Sequence, residues 1–163
     1  MPNDWYGTSG SDYKVGRDPE NFGFISINDG RDIFYGYGGN DTLFGRNGDD
    51  SLYGGDGDDS LTDFSFTEGD KIRLARSTFT ALRSVAGTGF SLVSEFARVN
   101  SDAAAELSSA FIVYNTTNGK LFYNPNGSAS GFASTLDAGG HFATLTGNPS
   151  LIACDFSLYA LEN

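Results

Sequence analysis

Four aspartates recur at intervals of nine residues: Asp32, Asp41, Asp50 and Asp59. Each has a glycine two residues before it (Gly30, Gly39, Gly48, Gly57) and an apolar residue two residues after it (Phe34, Leu43, Leu52, Leu61). A carboxylate is a hard oxygen ligand, and glycine lets the backbone turn so that peptide carbonyls gather near one point. Carboxylates brought close together repel one another unless a cation lies between them. Six or more oxygens at flexible distances suit calcium better than magnesium, which demands a small and nearly octahedral shell.

The elements that must position these groups follow from the same spacing. Cut into nines, residues 27–62 read INDGRDIFY, GYGGNDTLF, GRNGDDSLY and GGDGDDSLT. A flexible Gly/Asp linker has no reason to place an apolar residue at every ninth position, so the pattern specifies a repeat structure. Each unit predicts a six-residue turn, with glycines at positions 1 and 4 supplying unusual φ/ψ, and then a three-residue strand whose position-8 side chain enters a core. Two units make one flattened coil. Coils stacked at about 4.8 Å put each turn over the turn 18 residues on, so that two aspartates and several carbonyls meet at one place.

These residues resemble the RTX (repeats-in-toxin, hemolysin-type) calcium-binding family, whose nonapeptide is G-G-x-G-x-D-x-U-x; GGDGDDSLT at 54–62 is the nearest local match. The resemblance implies an all-β fold, a right-handed parallel β-roll, with calcium held between turns by carbonyls at positions 2 and 4 and a carboxylate at position 6 of one turn. The turn 18 residues on supplies carbonyls at positions 1 and 3 and its own position-6 carboxylate. Transferred to this chain, one implied site is Asn28, Gly30 and Asp32 with Gly45, Asn47 and Asp50. A second is Tyr37, Gly39 and Asp41 with Gly54, Asp56 and Asp59. Upstream, GTSGSDYKV at 7–15 reads as a frayed unit and residues 16–26 as a bulged unit of eleven, which lets Thr8, Gly10 and Asp12 face Ile27, Asp29 and Asp32. Downstream, the segment from Asp63 to Leu74 resembles the one that closes the roll in serralysin-type proteases. There an aspartate in the place of Asp70 takes the last calcium with the turn around Arg46, Gly48 and Asp50. About three to four calcium ions are expected in all.

Composition supports this division of the chain. Residues 1–70 hold 15 acids and 4 bases, whereas residues 71–163 hold 6 of each, so the whole net charge of −11 lies in the first part. A basic footprint for nucleic acid is excluded. No apolar run reaches the length of a membrane span, and Met1 to Gly10 lacks the features of a cleavable signal peptide. One cysteine and one histidine exclude an internal disulfide and a multi-ligand zinc site. Two regions are expected: a calcium-binding roll over 1–74 and a β-rich capping region over 75–163, the latter with a hairpin (111–115 and 120–124), a short helix within 101–109 and a final strand near 151–158.

The family likeness further implies that the second region carries an uncleaved signal for type I export and that the protein is secreted and folds on meeting extracellular calcium. The alternative is a calcium-dependent C-terminal module of a larger secreted enzyme or adhesin. No catalytic activity is expected. His141 has no nucleophile or acid placed near it by any motif, and the Gly-rich turns surround a would-be phosphate with carboxylates. Cys154, in LIACDF, reads as a small buried hydrophobe. The aromatics Tyr35, Tyr37, Phe44 and Tyr53 read as surface residues covering strands, with a glycan strip as the other reading and a glycan or protein as a possible partner.

Overall fold

The computed structural model describes residues 3–6, 13–15, 32–38, 40–44, 49–56, 59–62, 64–133 and 138–160. Its strands are β1 (Asn3–Tyr6), β2 (Tyr13–Val15), β3 (Asp32–Gly38), β4 (Thr42–Phe44), β5 (Ser51–Asp56), β6 (Asp59–Thr62), β7 (Lys71–Ala75), β8 (Gly87–Thr88), β9 (Phe96–Val99), β10 (Ile112–Asn115), β11 (Lys120–Tyr123), β12 (Gly140–Leu145) and β13 (Phe156–Tyr159). The helix α1 (Asp102–Glu106) lies between β9 and β10. The protein is thus mostly β with one short helix.

Up to β7, successive strands alternate between two sheets. The first sheet runs β1-β3-β5-β7-β13-β8 and the second β2-β4-β6-β12-β11-β10-β9. The repeat strands pair in parallel, Phe34 with Leu52 and Leu43 with Leu61, which is the 18-residue offset that two nonamers require. Both sheets are mixed: β8 pairs antiparallel with β13, and the antiparallel β10–β11–β12 meander joins the parallel stack through the parallel β12–β6 pair. The position-8 residues Phe34, Leu43, Leu52 and Leu61 are all buried in one core. Each contributes roughly 1.5–3 kcal/mol of apolar burial.

The later strands continue both rows of that core. Ile72 pairs with Leu52 and Phe156 with Ile72 in the first sheet, while Leu145 pairs with Leu61 in the second. The edges that the last repeat strands β5 and β6 would otherwise expose are therefore hydrogen-bonded to β7 and β12, and β13 in turn covers β7. A smaller cluster of Ala105, Ala110, Val113 and Phe122 forms where α1 packs on β10 and β11.

Several expectations need correction. β3 and β5 are seven and six residues long instead of three, because the ladder continues into the following turn, with Tyr37 opposite Gly55 and Gly38 opposite Asp56. Upstream, β1 pairs with β3 and β2 with β4, in each case across 29 residues (Trp5 with Phe34, Lys14 with Leu43). That separation exceeds the repeat's 18 by eleven in both sheets, so the register skips eleven residues and sets the strand of unit 7–15 beside that of 36–44, not that of 27–35. The expected facing of Thr8, Gly10 and Asp12 with Ile27, Asp29 and Asp32 lies outside the described residues except for Asp32.

In the second region the helix is capped by Ser101, whose Oγ accepts the Ala104 N–H at 3.1 Å. The final strand begins at Phe156 and not at Leu151, because Asp155 Oδ2 accepts the Ile152 N–H at 2.8 Å and closes a 3₁₀ turn over Ala153–Asp155. Cys154 sits on that turn and is exposed, not buried.

Candidate metal centre

The turns between the strands fall into two columns. Leaving the first sheet for the second are residues between β3 and β4 and between β5 and β6; returning are those between β4 and β5 and between β6 and β7. The first column carries Asp41 and Asp59, and the second Asp50 and Asp70. All four are at most 2% exposed. Asp49, one residue from Asp50, is exposed, as is Asn40 beside Asp41, so position 6 turns inward while position 5 faces out.

Each column is tied in the same way. Asp41 N–H donates to Asp59 Oδ1 at 3.1 Å, and Asp50 N–H donates to Asp70 Oδ1 at 2.9 Å. Asp70 Oδ2 also accepts the Ser65 N–H at 2.8 Å, which fixes the closing segment. In both columns Oδ2 of the earlier aspartate, Asp41 or Asp50, is buried and receives no hydrogen bond. The backbone groups around them are engaged, Asp41 C=O by Ser60 N–H and Asp50 C=O by Lys71 N–H, both at 2.8 Å.

The position-1 glycines have a different reason from the one their residue type suggests. Gly36 and Gly54 lie in extended strands, not in the left-handed region. A Cβ on Gly36 would collide with Asp41 Oδ2 and with the Gly54 carbonyl oxygen, and a Cβ on Gly54 would collide with Asp59 Oδ2. Glycine is required because oxygens converge where a side chain would start. Gly36 therefore forms the floor of the site, a role that its place at position 1 could have signalled.

Of the second implied site, the structure brings Asp41, Gly54 and Asp59 together and sets the Tyr37 and Asp56 backbones on the adjoining ladder; Gly39 lies outside the described residues. Of the first, Asp32 opens β3 and Asp50 is buried beside Asp70. Asn28, Gly30, Gly45 and Asn47 lie outside the described residues, as do Thr8, Gly10, Asp12, Ile27, Asp29, Arg46, Gly48 and Asp63. Among the described residues no three Asp, Glu, His or Cys side chains converge as a metal cluster.

This arrangement can be compared with known proteins. The family model for the RTX calcium-binding nonapeptide repeat matches residues 26–61 in four copies. Residues 26–61 are RTX calcium-binding repeats. No curated protein matches the chain. RTX repeats bind calcium, and the residues present fit that ion. Buried carboxylates carry a heavy desolvation cost unless a cation or several donors face them, and here hard oxygens from two turns, Asp41 Oδ2 and the Gly54 carbonyl, close on one point. The first column ends at Asp59, beyond which a cavity of about 20 Å³ is walled by Leu61, Leu74, Phe79 and Phe142. The second column continues to Asp70.

Proposed function

We propose that this is a secreted RTX protein whose repeat region folds on calcium, the two parallel stacks being successive coils of a right-handed parallel β-roll. The observation that carries the reading is the burial of the position-6 aspartates Asp41, Asp50 and Asp59 of a matched calcium-binding repeat in two columns, Asp41 tied to Asp59 and Asp50 to Asp70 of the closing segment. Right-handed winding follows from the general preference of parallel crossover connections. About three or four ions would offset most of the −11 charge that the first 70 residues carry. Affinity of roughly 10⁻⁴ to 10⁻³ M suits extracellular calcium and would leave the repeats unfolded where calcium is scarce. Export by a type I system accords with that order of events, since the chain would pass through unfolded.

The chain acts in this reading as a calcium-binding module without catalysis of its own. The acids of the turns are committed to the ion, and His141 Nε2 lies 2.9 Å from Thr144 Oγ1 beside the Phe122 ring. Calorimetric titration of the chelator-treated protein tests the proposal. Binding of three or four calcium ions, coupled to a gain of β signal in circular dichroism and not reproduced by magnesium, is expected. Binding of fewer than two ions, or binding with no spectral change, would overturn it.

A further inference from the structure

The outward residues of the first sheet form a second chemical feature, separate from the turns. Tyr35, Tyr53 and Arg73 succeed one another across β3, β5 and β7, with Ser157 beside Arg73 on β13. The two tyrosine rings stack with centroids 4.3 Å apart, and the Arg73 guanidinium lies 5.2 Å from the Tyr53 ring centre. Arg73 Nε donates to the Tyr53 hydroxyl at 2.9 Å and Nη1 to Ser157 Oγ at 2.8 Å. A long flexible side chain is thus fixed at three points, and its entropy of ordering is already spent on folding.

Both hydrogen-bond acceptors of Arg73 are neutral. Among the described residues neither Arg73 nor Lys71, two residues earlier on the same face, meets a carboxylate, although the chain has 21 acids and 10 bases. Of the five N–H groups of the guanidinium, two are engaged and three have no acceptor among the described residues. A rigid guanidinium with an open edge matches the planar fork of a carboxylate. The strand that carries it lies inside the sheet between β5 and β13, so it offers no free edge for an added peptide strand. Tyr53 and Ser157 are buried beside the guanidinium, while the half-buried Tyr35 and Tyr159 rings flank Tyr53, and such aromatic rings suit the C–H face of a pyranose.

We infer that this face binds a carboxylate-bearing sugar of the uronic acid class, with Arg73 holding the carboxylate and Lys71 adding charge. The site is independent of the calcium turns, so its test is made on calcium-saturated protein. Trigalacturonate is titrated by calorimetry or NMR against wild type, Arg73→Gln and Lys71→Gln, with its methyl ester, maltotriose and triglutamate as comparisons. Binding of trigalacturonate that weakens at least about tenfold in Arg73→Gln and more modestly in Lys71→Gln, with calcium affinity unchanged in both, is expected. The methyl ester and maltotriose should bind no better than the Arg73 variant binds the acid. Among the described residues the Lys71 side chain has no hydrogen-bond or ion-pair partner, so its variant keeps the test valid if Arg73→Gln folds poorly. Equal binding by wild type and both variants, equal binding of the ester, or no binding of trigalacturonate would overturn the assignment. Equal binding of triglutamate would overturn the sugar in favour of unspecific attraction of anions.

Discussion

Buried acids are treated differently in the two regions of this molecule. In the second region each one is answered by the protein itself. Glu95 is 2% exposed, and its two oxygens accept the N–H groups of Arg83 at 2.6 Å and Ser84 at 3.1 Å. Asp155 is 3% exposed, and its Oδ2 accepts the Ile152 N–H at 2.8 Å. Even the half-exposed Asp102, at the start of α1, accepts from Asn115, Asn118 and Lys120, and these hydrogen bonds, Asn118 first, hold its carboxyl below its ordinary value. In the repeats the later aspartate of each column is answered by a backbone N–H, but Oδ2 of Asp41 and of Asp50 receives no hydrogen bond. The second region is built to stand on its own donors, whereas these two repeat oxygens receive no hydrogen bond, and RTX repeats bind calcium.

The contrast is sharpest in paired substitutions. Asp50→Asn should cost about 3 kcal/mol or more in calcium-saturated protein, since it removes a buried charge that faces the ion, and far less in chelator. Glu95→Gln should cost about 1–2 kcal/mol whether calcium is present or not, because its partners are backbone N–H groups. Thermal melts in both conditions would check this; a calcium-independent loss for Asp50→Asn would break the contrast. Gly54→Ala comes next: the added methyl collides with Asp59 Oδ2, so calcium affinity should fall about tenfold or more by calorimetry. The smallest effect belongs to Asp49→Ala, whose exposed carboxylate should change stability by no more than about 0.5 kcal/mol. A loss equal to that of Asp50→Asn would mean that position 5, not position 6, faces the ion.

How much of this was legible in the sequence differs between features for physical reasons. The inward position 8, the 18-residue pairing and the inward position 6 are periodic properties, and a strict period survives in one dimension. The hairpin and the Ser101 cap are local, written within a few residues. The register of β1 and β2 was not legible, because an eleven-residue interval has the length of a bulged unit and only strand pairing reveals that it is skipped. Cys154 sits in an apolar run, but the Asp155 side chain turns the chain there and leaves the thiol outside. The reason for glycine at position 1 was hidden too, since crowding by the aspartate five residues on, and at Gly36 by the Gly54 carbonyl as well, leaves no mark beyond the glycine itself. Arg73 needed three strands and its neighbours on each to become visible as a fixed group.

Hydrogen–deuterium exchange followed by mass spectrometry, with calcium and with excess chelator, addresses the central claim most directly. Amides of Asp32–Thr62 should be protected only with calcium, and magnesium should not restore them. Amides of β10 and β11, with α1 packed on them, should keep most of their protection in chelator. Equal protection of the repeat strands with and without calcium would contradict the account, because it would show that the buried aspartates are satisfied by the chain alone.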